Sequence, residues 1–440
     1  MSEISIGLLG LGNVGSGVLH ILRSHGAEIE ARLGARPVIR KVLVRDAQRP
    51  RELELEGLEL TTDLAAVLDD PRIQIVVEVM GGTDTAREAV LGALSRGKHV
   101  VTANKTLLAH HGDEIFALAR EKALDVFYEA AVGGGLPVIR TLREGLASDR
   151  LEGITAILNG TTNYILDRMW NEDCALEEAI AGAQAAGYAE ADPSSDVEGR
   201  DAAEKLALLA AIGFGVRVHP GDIPTVGITG IARADVQEAR ERRQMVKLLA
   251  TATRGEDGRL ALAVRPTLVP VRSPLAAVRG ADNAVMLQAQ ALGSSLLVGA
   301  GAGSLPTGSA VVSDLVECAR NLRLGTAGRV PARSVRDTEM QEARLLPPGE
   351  HRAAAYLHFE VEDRPGVLGS LATALGDAGV SLSAVEQSRH SPGDPRPVPV
   401  VVITHPCLEG DLARAISAIA ALPFLAAPPR RLWILPEDEG

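Results

Sequence analysis

Asp201 and Lys205, two ionisable residues four positions apart, are the first candidates for chemistry in this sequence. They lie in the stretch GYAEADPSSDVEGRDAAEKL, residues 187–206, which is dense in charge within an apolar neighbourhood. On a helix they would share one face and head an otherwise apolar stripe that runs to Ile212. Such a pair is either a solvated surface ion pair or a group aimed at a reacting cofactor and substrate. The rest of the chain must decide between the two.

The element that would position this pair is a helix that we expect to start near Asp196 and to end at Gly213. Asp196 is a possible N-cap, acidic residues occupy the first turn, and an apolar run follows Glu204. Asp196 is therefore either a helix cap or a substrate contact.

A glycine-rich turn near the N-terminus predicts a cofactor. An apolar strand over residues 4–9 runs into GLGNVG, residues 10–15, and then into a helical pattern. In the order strand, G-x-G-x-x-G, helix, Gly10 permits the tight turn, Gly12 lets the backbone approach a pyrophosphate, and Gly15 lets helix pack on strand. The free N–H groups of the helix N-terminus favour the same anion. We therefore expect a dinucleotide-binding domain.

The end of the second predicted strand, residues 38–44, bears on which dinucleotide is bound. A carboxylate at this point often holds the ribose hydroxyls of NAD, whereas here Arg45 comes first and Asp46 follows. A guanidinium suits a 2′-phosphate, so NADP(H) is preferred over NAD(H). Two alternatives stay open, because Asp46 could turn toward the ribose and Arg45 could be an exposed strand-end charge.

Two further predicted strands, residues 75–80 and 99–102, also end in polar residues. Because ligands of doubly wound sheets gather at the carboxyl ends of the strands, the residues that follow them lie on the cofactor side. Lys105 is the charged residue among them. It could neutralise a phosphate, meet a substrate carboxylate, or be a solvated surface lysine.

Two glycine-rich turns lie farther along the chain. EAAVGGGLP, residues 129–137, could aim carbonyl oxygens and one carboxylate at a hard monovalent cation, or could be an interdomain hinge. GAGAG, residues 299–303, precedes a predicted long helix that ends near Arg323. This second turn could close over a nicotinamide ring or merely permit close packing.

The C-terminal part has the pattern of a separate domain. Residues 325–350 are rich in Arg, Pro, Gly and Glu and look like a linker. Beyond them the order is β-α-β-β-α-β, which is the ferredoxin-like arrangement, with a proline-rich loop at residues 391–399.

Composition excludes several classes of function. The 440 residues carry a formal charge of −12 and only 2% aromatic residues, which argues against a nucleic-acid or anionic-membrane surface. The three cysteines form no C-x-x-C pair, so the usual zinc and redox signatures are missing. With no signal-peptide pattern and no apolar span of membrane length, we expect a cytoplasmic protein.

Assembled in order, these motifs closely resemble those of homoserine dehydrogenase with a C-terminal ACT domain. The resemblance covers essentially the full length, and DRPGVL is the typical ACT opening. The other motifs, in the family's order and spacing, are GLLGLGNVGSGV, VTANK, EAAVGGGLP, NGTTNYIL, GYAEADPSSDVEGRDAAEKL and GAGAGSLPT. Any one motif could be chance, but six in order are highly specific.

The resemblance implies an NAD(P)H-dependent reduction of aspartate 4-semialdehyde to homoserine, on the route to threonine, isoleucine and methionine. By the same resemblance Lys205 is the proton donor to the aldehyde oxygen, Asp201 its supporting carboxylate, and Glu190 the group that binds the substrate's amino end. Hydride transfer builds negative charge on that oxygen, so a positioned cation or acid is physically required there.

The resemblance also assigns the remaining site residues. The cofactor positions are Gly10, Gly12, Asn13, Val14, Gly15 and Lys105, with Gly187 and Gly303 closing on the cofactor. A sodium ion would be held, through backbone oxygens, by Glu129, Val132, Gly134 and Leu136. The ACT domain implies feedback inhibition by threonine, with Asp363 and Gly366 near the effector, and a homodimer or homotetramer is expected.

The expected architecture is α/β with three domains. A Rossmann-type doubly wound domain spans residues 1–130 and is completed by the helix near 306–323; an α+β catalytic and dimerisation domain spans 131–324; and an ACT domain spans 351–440 after the linker. Two other interpretations stay open: another ACT-bearing dehydrogenase acting on a hydroxy acid, and a non-catalytic amino-acid sensor that keeps NADP only structurally. NADPH oxidation on addition of aspartate semialdehyde would discriminate among them.

Overall fold

The computed structural model describes residues 3–51, 55–387 and 396–436. Within them, the strands in chain order are β1 (Glu3–Leu9), β2 (Arg36–Leu43), β3 (Glu59–Thr61), β4 (Ile75–Glu78), β5 (His99–Thr102), β6 (Val126–Phe127), β7 (Leu151–Ile157), β8 (Val216–Arg217), β9 (Gln244–Arg254), β10 (Leu260–Pro270), β11 (Asp282–Ala289), β12 (Gly293–Ala300), β13 (Gln341–Glu342), β14 (Arg352–Val361), β15 (Leu382–Gln387), β16 (Val398–Thr404), β17 (Cys407–Leu408) and β18 (Arg430–Ile434).

The helices of the same residues, in chain order, are α1 (Asn13–Ser24), α2 (Gly26–Leu33), α3 (Leu64–Leu68), α4 (Asp84–Ser95), α5 (Lys105–Glu121), α6 (Val138–Arg140), α7 (Gly160–Glu172), α8 (Leu176–Ala185), α9 (Ser194–Val197), α10 (Arg200–Phe214), α11 (Arg233–Glu241), α12 (Ser304–Leu324), α13 (Val367–Asp377) and α14 (Glu409–Ala420). Within the described ranges, no helix is both long and apolar enough to cross a bilayer.

The chain forms two compact units, and each is assembled from separate stretches of sequence. The first unit comprises Met1–Gly160, Asp201–Asp222 and Ala281–Ala343. The second comprises Thr161–Arg200, Ile223–Gly280 and Arg344–Gly440.

The first unit contains the predicted dinucleotide-binding sheet. Its six parallel strands have the order β3-β2-β1-β4-β5-β6, which is the Rossmann order. The apolar run of β1 is buried on both faces, as the central strand of a parallel sheet requires. The strands predicted at residues 4–9, 38–44, 75–80 and 99–102 are confirmed as β1, β2, β4 and β5.

Helix α12 packs against α1 on this sheet. The contact is close because a Cβ atom on Gly308 would lie 2.8 Å from the carbonyl carbon of Gly17, so neither position has room for a side chain. Val311, Leu315 and Cys318 of α12 belong to the same buried cluster as Ile4 and other residues of the parallel sheet. A helix more than 270 residues from β1 in sequence therefore completes its core.

A second sheet of the first unit carries the residues that precede the predicted active-site segment. β7, β11 and β12 pair antiparallel, with Thr155 opposite Met286 and Met286 opposite Leu296. β7 ends at Ile157, so Leu158 and Asn159 lie just beyond its carboxyl end.

The long helix α10 starts later than the sequence indicates. We expected Asp196 at its N-cap, but Asp196 lies inside the one-turn helix α9, and α10 begins at Arg200. The break between them is at Gly199, whose φ of +83° lies in the left-handed region and interrupts a right-handed helix. Most of α10 is buried, including Asp201 and Leu208, so the predicted stripe is part of a wider buried surface.

The second unit contains the predicted ferredoxin-like domain. Its strands have the order β18-β14-β16-β15, and α13 and α14 pack on their apolar face through Leu371, Leu375, Leu412 and Ile419. The β-α-β-β-α-β order is confirmed. Of the predicted proline-rich loop, residues 391–395 lie outside the described residues, and Val398–Thr404 is already strand.

Candidate active site

The predicted pair on α10 forms a direct, largely buried ion pair. Nζ of Lys205 lies 2.7 Å from Oδ2 of Asp201, one turn earlier on the same helix. The two side chains are only 13% and 10% exposed, which argues against a solvated surface pair. Lys205 also donates to the carbonyl oxygen of Leu158, at 2.8 Å, so the ammonium group is fixed from two directions.

Asp201 is shared by a second lysine and an amide. Nζ of Lys105, the first residue of α5, lies 3.1 Å from Oδ1 of Asp201. The side-chain amide of Asn159 donates to Oδ2 at 2.8 Å. Two cations thus share one carboxylate, so the cluster keeps one net positive charge. Such a cluster is suited to bind a developing oxyanion.

The electrostatics keep Asp201 ionised. Burial raises the pKa of this carboxyl group, but Lys205, Lys105 and the hydrogen bonds from Lys205 and Asn159 outweigh it and hold the pKa well below its usual range. Asp201 therefore remains an acceptor at neutral pH. It can hold the two ammonium groups in place without competing for a proton.

A hydrogen-bond network at the carboxyl ends of β4 and β5 positions Lys105. Asn104 caps α5 by accepting from the N–H of Leu107 at 3.1 Å, and its amide donates to the carbonyl of Gly82 at 2.7 Å. The hydroxyl of Thr102 donates to the buried carboxylate of Glu78 at 2.6 Å. Burial raises the pKa of Glu78, although these hydrogen bonds oppose the shift.

Glu204 joins the two lysine-bearing helices and was given no role by the sequence. Its Oε2 accepts a hydrogen bond of 2.9 Å from the hydroxyl of Thr106 on α5. Nε2 of His110, one turn farther along α5, lies 3.6 Å from Oε1. Because Thr106 follows Lys105 and Glu204 precedes Lys205, these contacts hold together the helix segments that carry the two cations.

Asn159 and Asn283 are further residues that the sequence did not assign. Nδ2 of Asn283 donates to the carbonyl of Leu158 at 3.0 Å, which is the oxygen that Lys205 also binds. The sequence offered an indication for Asn159, since this residue follows a buried strand. The sequence offered no such indication for Asn283, because this residue reaches the site from β11, more than a hundred residues later.

The glycine-rich turn has the form that a dinucleotide requires. Gly10 has φ +105°, and a Cβ atom there would lie 2.8 Å from the carbonyl oxygen of Val79. At Gly12 no heavy atom lies within 4 Å of the Cβ position, so this side of the backbone is open to a ligand. No side chain caps α1, which leaves its first N–H groups available for a pyrophosphate.

The second predicted glycine turn also reaches this site. Gly303 is the N-cap residue of α12, and the hydroxyl of the next residue, Ser304, donates to the carbonyl of Asn13 at 2.6 Å. The turn before α12 thus lies on the first turn of α1, where Asn13 and Val14 begin the helix. Lys105, Gly303 and the fingerprint residues all belong to the first unit.

Arg45 lies beyond the end of β2 and is exposed. Within the described residues, no hydrogen bond or ion pair engages its side chain. Two cations of β2 are engaged in ion pairs: Arg40 pairs with Glu3 at 2.5 Å, and Lys41 lies 3.3 Å from Asp70.

The predicted cation-binding turn is buried and rich in carbonyl oxygens. The carboxylate of Glu129 accepts from the N–H groups of Ile139 (2.7 Å) and Arg140 (2.9 Å) and so shapes the turn. Val132 and Gly134 are buried, and among the described residues no donor reaches their carbonyl oxygens. Buried carbonyls without a donor fit a hard monovalent cation, whereas a flexible hinge would be solvated.

Several predicted residues lie in the second unit. Glu190 and Gly187 are exposed and lie between α8 and α9, where the carbonyl of Glu190 accepts from the amide of Gln184 at 3.1 Å. In the ferredoxin-like domain, Asp363 accepts from Gln387 at 3.4 Å, and Gly366 is the N-cap residue of α13. Their predicted binding roles stay predictions.

Three family profiles match successive parts of the chain. A family profile described as homoserine dehydrogenase matches residues 137–316, one described as the homoserine dehydrogenase NAD-binding domain matches 10–129, and an ACT profile matches 355–424. Homoserine dehydrogenase of Pseudomonas aeruginosa is 40% identical over 435 residues, with 99% of each chain covered.

Solved structures give the same result. A homoserine dehydrogenase crystal structure from Thiobacillus denitrificans superposes with a TM-score of 0.92 at 42% identity, covering 99% of both chains. A hyperthermophilic archaeal homoserine dehydrogenase in complex with NADPH matches with a TM-score of 0.59 at 27% identity, covering 72% of this chain and 97% of that one.

Proposed function

We propose that this chain, which belongs to the homoserine dehydrogenase family, reduces aspartate 4-semialdehyde to homoserine with Lys205 as proton donor. NAD(P)H, when bound, supplies a hydride to the aldehyde carbon. The carbon–oxygen π electrons move to the oxygen, which takes a proton from the ammonium group of Lys205. The neutral amine then regains a proton from water, so atoms and charge balance.

The geometry of Lys205 is the observation that carries this proposal. An ammonium group has three N–H donors, and two of them are engaged by Asp201 and by the carbonyl of Leu158. In the part of the chain that the structure describes, no acceptor engages the third, which is left for the aldehyde oxygen. Because the protein fixes the other two, the donor is oriented before substrate binds, which is the preorganisation that catalysis requires.

The test is the oxidation of NADPH on addition of aspartate 4-semialdehyde, followed by loss of NADPH absorbance. We expect rapid oxidation by the full chain with aspartate 4-semialdehyde and no oxidation with a 2-keto acid, which is the substrate that a hydroxy-acid dehydrogenase would reduce. A chain that binds NADPH but oxidises none would instead be the non-catalytic sensor.

We infer a preference for NADP(H) over NAD(H) from Arg45. The alternative ribose ligand, Asp46, already accepts the N–H of Gln48 through Oδ1 at 2.8 Å, so turning it toward a ribose would break a turn contact. The archaeal relative, whose structure holds NADPH, supports the same choice. Comparison of the Michaelis constants for NADPH and NADH tests it, and a lower constant for NADH would contradict it.

For the cofactor and the substrate we keep the sequence-based roles as proposals. Lys105 and the turns at Gly187 and Gly303 would bind the cofactor, and Glu190 would bind the substrate's amino group. Glu190→Ala should then raise the Michaelis constant for the aldehyde while NADPH affinity stays unchanged. An unchanged constant would remove that role.

A sodium ion at the turn of Glu129, Val132, Gly134 and Leu136 is supported by the carbonyl oxygens of Val132 and Gly134, which are buried and which no donor reaches within the described ranges. Sodium chloride should then raise the Tm above that measured in choline chloride at equal ionic strength. Equal values in the two salts would count against the site.

Regulation by threonine is supported by the ACT domain, with Asp363 and Gly366 as effector residues. A homodimer or homotetramer is supported by Val298 and Leu296, which are 48% and 36% exposed on β12, an edge strand of the first unit. The three cysteines are free thiols, in keeping with a cytoplasmic enzyme. Unchanged kinetics in saturating threonine, or a monomer by light scattering, would contradict these proposals.

A further inference from the structure

A cavity of about 690 Å³ in the first unit lies apart from the residues assigned to the reaction. It is bounded by the C-terminal part of α5, by the start of β6, and by the segment from Ala327 to Thr338. Its size is in the range of small-molecule sites. None of the residues proposed for substrate, cofactor, sodium or effector binding lines it.

The charged residues of the lining are mostly arginines. They are Arg120, Arg143, Arg329, Arg336, Asp125 and Asp337. The four cations outnumber the two carboxylates, so the lining has a formal charge of +2. This excess is unexpected in a chain whose net charge is −12. A concave surface with an excess of one charge concentrates ligands of the opposite charge.

The two carboxylates of the lining leave the excess in place, because both are already included in the formal charge of +2. Asp125 accepts from the N–H of Gly328 through Oδ1 (2.8 Å) and from the amide of Asn321 through Oδ2 (3.0 Å). Asp337 accepts a hydrogen bond of 2.8 Å from Arg333, which lies outside the lining. It also forms an ion pair of 3.6 Å with Arg120. Both side chains therefore already have partners in the protein.

Arg143 is the buried cation of the cavity. It is only 7% exposed, it donates to the carbonyls of Pro331 (3.2 Å) and Val330 (3.4 Å), and its guanidinium lies over the ring of Phe127. Among the described residues, no carboxylate oxygen lies within 4 Å of it. Glu129 and Asp314 interact with its charge from beyond hydrogen-bond distance. A buried cation whose direct hydrogen bonds go only to neutral acceptors is costly, and an anionic ligand in the cavity would add a direct partner.

The other arginines differ in how they are held. Arg329 is paired with Glu317 at 2.6 Å, whereas the exposed side chain of Arg336 has no hydrogen-bond or ion-pair partner within the described residues. Within the described residues, Arg143 and Arg336 thus offer guanidinium groups that form no direct ion pair with a carboxylate. Guanidinium groups bind carboxylate and phosphate oxygens through paired hydrogen bonds.

We propose that this cavity is a binding site for a small dianionic oxyanion, held by Arg143 inside and by Arg336 at the opening. The ligand is a phosphate-bearing molecule or a dicarboxylate, since both present paired oxygens with two negative charges. The site is independent of the dehydrogenase reaction, because none of its lining residues takes part in that reaction.

The experiment is isothermal titration of the full-length protein, saturated with NADPH so that the cofactor site is filled, with inorganic phosphate in one arm and succinate in the other. Chloride at equal ionic strength is the reference. Arg143→Gln and Arg336→Gln are the test variants. Arg344→Gln is the matched control, because Arg344 is exposed and lies outside the lining.

We expect saturable binding of at least one probe. Each test variant should raise the dissociation constant of that probe by about tenfold, because it loses one charged hydrogen bond. The control variant should bind the probe as the parent does. The arm that binds identifies the ligand as phosphate-like or dicarboxylate-like. The proposal would be overturned if neither probe showed saturable binding, or if Arg336→Gln left the binding unchanged. If Arg143→Gln does not fold, Arg336→Gln alone decides.

Discussion

The hydroxyl of Thr106 donates a 2.9 Å hydrogen bond to the carboxylate of Glu204 and thereby joins the helix of Lys105 to the helix of Lys205. The two lysines meet at Asp201, and the Thr106–Glu204 contact lies one residue away from each of them in sequence. A small relative shift of α5 and α10 would separate Lys105 from Asp201. The contact is therefore expected to affect turnover although neither residue need touch substrate.

Removal of this contact should lower kcat through the position of the lysines. We expect Thr106→Val and Glu204→Ala each to lower kcat by about threefold to tenfold, and the double variant to lose less than the product of the two, since both remove one contact. The measurement is a double-mutant cycle on kcat. Glu121→Ala, at the far end of α5 from Thr106, is the control. Fully multiplicative losses would mean that the contact does not act as a unit.

Replacement of the proton donor should separate catalysis from cofactor binding. We expect Lys205→Ala to lower kcat by about 10²–10⁴-fold, the usual range for a general acid, because Lys205 is the acid that Asp201 and the carbonyl of Leu158 hold in place. NADPH affinity, measured by fluorescence titration, should change little. The exposed Lys122 provides the matched Lys→Ala control, and near-normal turnover of Lys205→Ala would show that the acid is another group.

The sequence predicted the Rossmann sheet, the ferredoxin-like domain and the Asp201–Lys205 pair because each depends on local spacing. It misplaced the start of α10, because acidic residues near Asp196 favour a cap while the left-handed Gly199 ends the preceding turn. It missed Asn283 for a different reason. Its contact with Leu158 joins residues 125 positions apart and follows from antiparallel pairing of β7 with β11, which no local pattern reveals.

Arg45 should distinguish the two dinucleotides. Its side chain is exposed and without a partner among the described residues, so its loss should cost little stability. We expect Arg45→Ala to raise the Michaelis constant for NADPH by about tenfold, through one lost charged hydrogen bond, and to leave that for NADH unchanged. Arg40→Ala is the control, because Arg40 is already paired with Glu3. Equal changes for both cofactors would argue against recognition of a 2′-phosphate by Arg45.

The pair formed by Asp314 and Glu129 should make stability depend on pH near neutrality. Asp314 is buried, and its Oδ2 accepts the N–H of Glu129 at 2.7 Å. Burial, and then the nearby carboxylate of Glu129, raise the pKa of Asp314 to about 7. The folded state therefore keeps this proton at pH values where the unfolded state has lost it. The contribution of Asp314 to the free energy of unfolding is therefore greatest at low pH and is lost as pH rises from about 4 to about 7.

Asp314→Asn should remove this dependence, because an amide cannot ionise and its oxygen can still accept from Glu129. Relative to the parent, the variant should gain on the order of 2 kcal/mol in unfolding free energy between about pH 5 and about pH 8, the value of a pKa shift of one to two units. Thermal melts of both proteins across this range, at constant sodium concentration, measure the difference in Tm. Asp63→Asn is the control, since Asp63 is an exposed helix cap. A difference that stays constant or narrows with rising pH would mean that Asp314 is ionised in the folded state.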